Sequence, residues 1–430
     1  MSISFSAVTP TLASNQPLIF PAMVPVRQRF CADIVPDVTG AVVDGLAGLD
    51  LSSLKGKKIA LTAGSRGIKG MADALRAAVE FLVSSGAEPF IVPAMGSHGG
   101  ATAAGQIHVL ESLGINQTSV GAPVKSSLDV VHLGTTDHGL DVFCDKYAFE
   151  ADGIIVCNRI KVHNVFKAAY ESGLAKMMVV GLGKHKGAVA THHHGFDRFG
   201  EIIPRAAELV LERAPVLCAI GIVENGYGDV AAVEVLPPEA ILSREPKLLT
   251  EAKRIMGRLL VPEIDVLIID EIGKDISGGG MDANVTGRSP LGLPGFVAPP
   301  IQRIIVRGLS EATYGNAIGI GLADLTTRSC AEQIDLSVTY TNALTAHSLL
   351  SPKIPVVCEN DREALSTALR IVRGGVPETP KIVRIVNTKD LETIWMSECY
   401  RQTLEQSPDL EVTGEPQAVR FNPDGSLIIP

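Results

Sequence analysis

Aromatic residues are scarce in this 430-residue chain, at 4 %, with a single tryptophan. That scarcity argues against a stacking platform for single-stranded nucleic acid. A formal net charge of −9 argues against a phosphate-backbone binder as well. The seven cysteines (Cys31, Cys144, Cys157, Cys218, Cys330, Cys358 and Cys399) are odd in number and contain no CxxC pair. A zinc ribbon or a disulfide framework is therefore not expected. Several stand in strand-like runs such as IIVC and PVLCAIG, where cysteine behaves as a small hydrophobe. No apolar run approaches the roughly 20 residues of a membrane helix. The first sixteen residues lack the basic start and continuous apolar core of a secretory signal. The expectation is a cytoplasmic protein with neither a membrane nor a nucleic-acid partner. Also missing is a clean GxGxxG with an acidic residue about 20 positions later, which counts against a nucleotide-dependent oxidoreductase.

What is present fits an α/β protein. Hydrophobic residues make up 46 % of the chain, as buried parallel strands require. The length suits two domains. Residues 1–57 read as irregular. A strand at 57–62 then leaves into AGSRGIKG and a helix at 71–85, whose Leu75, Ala78, Val79 and Leu82 share one face. A strand at 89–93 leads through AMGSHGGAT to a helix at about 103–113. With a third strand at 153–157, this is the grammar of a doubly wound, Rossmann-like parallel sheet, which binds ligands outside the carboxyl ends of its strands. Strands at 216–224 and 230–235 belong to a first domain, 1–258, with the tail from about 400 to 430 expected to fold back on it, and a helix from about 238 to 260 is read as a bridge between two domains. A second α/β domain, 259–399, is read from strands at 264–270, 303–306, 317–322, 353–357 and 382–386, and helices at 362–372 and 391–404. The active site is expected in the cleft between the two.

The run 158–195, NRIKVHNVFKAAYESGLAKMMVVGLGKHKGAVATHHHG, gathers five histidines and five lysines. Basic nitrogen at that density, among apolar segments and glycines, suits an anion or a metal. Upstream, GSRG presents backbone N–H groups and the Arg66 guanidinium to an anion. In GSHGGAT, His98 stands among small residues, and histidine is the commonest general acid/base. His163 follows the next strand in the same way. Lys176 lies in an apolar run, where burial lowers an amine's pKa and makes it nucleophilic; a snorkelling lysine is the plainer reading. His192, His193 and His194 are expected to supply at most one metal ligand. In the second domain, Asp282 and Asn284 read as residues that fix a glycine-rich loop, and Arg288 as a candidate carboxylate clamp.

In this order the motifs LTAGSRG, GSHGGAT, the post-strand His163 with KMMVVGLGK, and the following His192 resemble the lactate racemase family. The resemblance covers most of the chain from about Lys57. It implies a nickel-pincer nucleotide cofactor, a pyridinium-3,5-bisthiocarboxylic acid mononucleotide carrying nickel, supplied by cofactor-synthesis enzymes. His98 and His163 match the acid/base pair, His192 the nickel ligand, and Arg66 the arginine that contacts substrate. Lys176 matches the lysine that can join the cofactor, with Lys184 as the fallback; Thr62, Ser65 and Arg66 complete the expected cofactor contacts. The implied reaction is a hydride relay that inverts C2 of a small-molecule 2-hydroxy acid. Two departures stand out. The spacing from His163 to Lys176 is longer than in the lactate enzymes, with Lys167 and Glu171 inside it. The second-domain loop reads ANVTGR in place of aromatic and lysine residues. The spacing bears on which lysine, Lys176 or Lys184, joins the cofactor; the loop favours a substrate larger than lactate, such as malate, another hydroxy acid or a sugar acid, with Arg288 in its pocket. A non-catalytic carrier of the same cofactor, or of another nucleotide, is the alternative, and a homo-oligomer is left open.

Overall fold

The computed structural model describes residues 18–51, 53–374 and 376–428. The expectation that the first sixteen residues form no secretory signal falls outside them. Among the described residues, no helix is long and apolar enough to cross a membrane. The chain divides into two compact units: one runs from Cys31 to Met256, and the other joins the residues up to Phe30 to those from Gly257 onward.

The start of the chain thus belongs with the second domain rather than the first. Strand β1 (Met23–Gln28) buries Met23, Val24 and Val26 in the cores of the second unit. Its Gln28 is also fully buried, and both ends of the amide are used: Nε2 donates to Leu391 O at 2.7 Å and Oε1 accepts from Leu260 N at 2.7 Å. A buried polar group satisfied in this way costs little and fixes the register.

In the unit Cys31–Met256, five strands form the main sheet: β2 (Lys58–Ala63), β3 (Glu88–Pro93), β6 (Gly153–Arg159), β7 (Val216–Glu224) and β8 (Val230–Leu236), beside a separate hairpin of β4 (Val130–Thr135) and β5 (Asp141–Asp145). The order is β3-β2-β6-β7-β8, parallel except for β8. The central strands are almost continuously buried, as strands covered on both faces must be. The helix Met71–Ser84 buries Leu75, Ala78, Val79 and Leu82 against them, on the face that the sequence spacing indicates. The helix Val38–Ala47 lies in the stretch expected to be irregular, and buries only Val42 and Leu46. Cys157 and Cys218 sit inside this core, where burial pushes both thiols up to about 12.

The second unit's main sheet has β9 (Ile264–Ile269), β10 (Ile301–Val306), β11 (Leu325–Thr327), β12 (Val356–Cys358), β13 (Ile382–Ile385), β14 (Thr393–Ser397) and β15 (Leu410–Val412). With β1, its order is β12-β11-β10-β9-β13-β14-β1-β15. The first five strands are parallel and the rest antiparallel. The tail, expected to join the first domain, instead adds a strand to this sheet and belongs to the second unit. The helix expected over 391–404 is instead β14 followed by a short helix, Arg401–Gln406, because TIWMS pairs with both β1 and β13. The strand expected over 317–322 is a tight turn, Ile320–Leu322, entered through Gly319 at φ +97°.

Trp395, the sole tryptophan, stands opposite Pro25 of β1. Met23→Ala is expected to destabilise this unit by about 2–5 kcal/mol, as a large-to-small core change does. Urea unfolding followed by Trp395 fluorescence checks this; an unchanged midpoint would mean that β1 contributes little to the fold.

Candidate functional site

Three loops leave the carboxyl edge of the first unit's sheet: 64–70 after β2, 94–102 after β3 and 160–173 after β6. Apart from Thr62, inside β2, the site residues expected on this unit lie on these loops or on the segment that follows the third. The first two loops are joined through side chains, since Ser65 Oγ is hydrogen-bonded to His98 Nδ1. His98 itself is exposed. Its loop turns through Gly96 and Gly99, at φ +60° and +68°, where a Cβ would be strained. At Gly99 a Cβ would also lie 2.6 Å from Gln106 N. Gln106, fully buried, holds the loop by donating to Gly96 O at 2.9 Å.

Lys184 braces the same loop from below. It is fully buried, at φ +54°, and donates to Pro93 O at 2.8 Å and Gln106 Oε1 at 2.7 Å, with Asp145 at 3.4 Å. Those internal partners commit its ammonium to the fold, and they set it apart from the cofactor contact that the sequence suggests. Thr62 is committed likewise. The β2–β6 ladder ends at Leu61↔Ile155, and the buried Thr62 hydroxyl extends it by accepting from Cys157 N at 2.9 Å and donating to Cys157 O at 3.2 Å.

The centre of the site is His163 with Lys176. His163 is buried, and its Nδ1 accepts the Val165 N–H at 3.1 Å. An Nδ1 that accepts cannot carry the proton, so the neutral ring is protonated at Nε2. Nε2 lies 2.7 Å from Lys176 Nζ, and as the donor it requires a neutral amine to accept. The electrostatics agree. Burial, then the charges of Lys176, Lys167, Lys161 and His192, hold the His163 pKa well below its usual value. Burial, then Arg66 and Lys161, push Lys176 down to about 7.

Lys176 ends the short helical turn Leu174–Lys176, and the chain then widens, with Leu182 N–H bonded to Met177 O, before the helix Lys184–His193. Wide turns of this kind recur at functional sites. The first N–H groups of the turn are met by Glu245, a buried carboxyl that accepts from Ala175 N at 2.8 Å and is raised to about 7 by burial. Sequence spacing gave no hint of Glu245, which arrives from the helix Pro238–Ile255.

Arg66 and Arg159 stand near each other. Arg159 is paired with Glu224, whereas no ion pair or hydrogen bond engages the Arg66 side chain among the described residues. Although solvent reaches Arg66, the surrounding protein, and then Arg159, lower its pKa. A cation left without a carboxylate in such surroundings is suited to an anionic ligand.

His192, in the last turn of its helix, directs Nδ1 to Ala188 O at 2.6 Å and packs against Phe196 and Phe199. A carbonyl can only accept, so Nδ1 carries the proton and the lone pair of the neutral ring is on Nε2. This is the arrangement of a metal-binding histidine. Among the described residues no group of three or more His, Cys, Asp or Glu side chains can hold a metal ion. His193 is exposed, and its ring lies beside that of His194.

Arg288 lies in the other unit and is engaged internally. It pairs with Asp324 at 2.6 Å and donates to Leu322 O at 2.9 Å, so its charge is already balanced. Asp282 caps the helix Ala283–Thr286 and accepts from the side chain of Asn284, fixing the loop as expected.

Residues 65–199 match the family model described as the lactate racemase N-terminal domain. Among solved structures, the chain is similar to the lactate racemase apoprotein from Thermoanaerobacterium thermosaccharolyticum, at 13 % identity and a TM-score of 0.50, over 85 % of this chain and 93 % of that one. A protein from Thermotoga maritima matches at 16 % identity and a TM-score of 0.47, over 65 % of this chain and 71 % of that one. No curated protein matches.

Two outcomes follow from this geometry. With lysines reductively methylated using a 13C label, one NMR resonance should titrate near 7 and vanish in Lys176→Arg; a value near that of free lysine would contradict the neutral-amine assignment. Lys184→Met, which leaves Asp145 buried and unpaired, is expected to cost about 3–5 kcal/mol of stability by urea denaturation.

Proposed function

We propose that this chain, whose residues 65–199 match the lactate racemase N-terminal domain, is a member of that family and an isomerase that inverts C2 of a 2-hydroxy acid. The observation that carries the proposal is the neutral His163–Lys176 pair at the same sheet edge as Arg66 and the Ser65–His98 pair. A carboxylate substrate needs a cation with no competing partner, and Arg66 meets that need. Inversion needs two proton-transfer groups. His98 and His163 are assigned these roles, each exchanging a proton with the hydroxyl of one enantiomer.

The residues present suit a nickel-pincer nucleotide. His192 offers an Nε2 lone pair with Nδ1–H already bonded to a carbonyl, and imidazole is a ready ligand for nickel. Lys176 offers a neutral amine as the point of attachment, and is favoured over Lys184, which is fully enclosed. When bound, such a cofactor supplies a reversible acceptor for the hydrogen on the α-carbon. Buried His163 and Phe166, with Phe196 beside them, exclude water from their own part of the site.

For the substrate, the ANVTGR loop favours an acid larger than lactate, such as malate, another hydroxy acid or a sugar acid. Arg288 is not part of that argument, because Asp324 balances it.

Chain produced in cells that also make the pincer cofactor is expected to hold nickel near one per chain by elemental analysis, and to lose it in His192→Ala. His98→Ala with His163→Ala should keep the nickel and lose racemisation, followed by chiral chromatography on single isomers. Nickel retention without racemisation of any hydroxy acid by the unaltered chain would instead indicate a cofactor carrier. Turnover of lactate above that of every larger acid would overturn the substrate assignment.

A further inference from the structure

The segment that separates His163 from Lys176 contains a fully buried carboxylate, Glu171, to which the acid/base reading gives no role. Its Oε2 accepts the backbone N–H of His163 at 2.7 Å, and Oε1 accepts from Ala168 N at 3.3 Å. Two ammonium groups neutralise it: Lys167 at 3.1 Å and Lys253 at 2.7 Å. Lys167 in turn donates to His163 O at 2.7 Å. Glu171 and Lys167 therefore hold both backbone polar groups of His163, and Val165 holds its Nδ1. The far side is tied to the helix Pro238–Ile255, through Lys253 and through Tyr170 Oη, which donates to Leu242 O at 2.6 Å.

The Lys161↔Ser172 bridge closes the base of this loop but does not reach His163, so a single side-chain orientation there needs other restraints. A buried carboxylate that takes a backbone N–H and two ammonium groups is such a restraint, and it is strong because all its contacts are charge-assisted. We propose that Glu171 is the positioning residue of the site: it fixes the His163 backbone so that Nδ1 meets the Val165 N–H and Nε2–H points at Lys176. It touches neither substrate nor cofactor, and acts through His163. Gln at this position keeps an acceptor for the His163 N–H but leaves Lys167 and Lys253 without their counter-charge. The ring is then free to exchange tautomers.

The proposal deepens the racemase reading and rests on His163 as an acid/base group, but its first test does not depend on turnover. In cofactor-free protein labelled with 15N-histidine, His163 should show one tautomer, protonated at Nε2. Glu171→Gln, confirmed as folded by circular dichroism, should show a mixture. Lys167→Met, which retains the Glu171–Lys253 pair, should shift the ring the same way to a smaller extent, and it provides the test if Glu171→Gln does not fold. In the loaded enzyme, Glu171→Gln should lower kcat by about 10–100-fold with KM little changed, as loss of a supporting residue does. A folded Glu171→Gln chain whose His163 keeps a single tautomer overturns the proposal. If tautomer mixing appears while the unaltered chain racemises no hydroxy acid, the positioning role stands and the racemase reading falls.

Discussion

Mutual repulsion among neighbouring basic groups is the constraint on which the site depends. Arg66, Lys161, Lys176 and His163 act on one another at one edge of the first unit's sheet. The carboxylates nearby are turned to other duties. Glu224 takes Arg159, Glu171 takes Lys167 and Lys253, and Glu245 takes backbone N–H groups. Protonating both Lys176 and His163 there would bury adjacent like charges, which a desolvated edge resists. The pair therefore settles as a neutral amine hydrogen-bonded to a neutral imidazole.

The scaffold beneath makes this arrangement affordable. Lys184, Gln106 and Asp145 form a buried polar brace under the His98 loop, and the Thr62 hydroxyl extends the sheet to the base of the site. The second unit uses the same device at its own sheet. There Asp270 takes both Arg307 and Arg384, while Asp361 takes Arg307 and the backbone N–H of Leu427 near the end of the chain. Charge pairing in that unit is internally complete at Arg288 as well, which contrasts with the unpartnered Arg66 of the first.

Much of the first unit was legible because its signals are local. Buried parallel strands read as apolar runs, and the helix at Met71–Ser84 shows its core face by spacing alone. Loops carrying His98 and His163 follow from the strands that precede them. Reading failed where pairing partners are distant in sequence. Strand β14 lies between β13 and a β1 strand some 370 residues earlier by register, so TIWMS could be taken for part of a helix. The helix Val38–Ala47 buries too few residues to announce itself.

By itself, then, the sequence placed the loops that carry Arg66, His98 and His163 at strand ends, since apolar periodicity is a property of short stretches. Tertiary structure decided what state those residues are in. Lys176 and Lys184 look alike as lysines in apolar surroundings, yet one meets an imidazole N–H and the other meets a carbonyl, an amide and a carboxylate. Arg66 and Arg288 look alike as solvated arginines, yet only Arg288 has an aspartate beside it. Protonation and availability depend on which atoms lie within a few ångströms, and those atoms come from segments that no local pattern brings together.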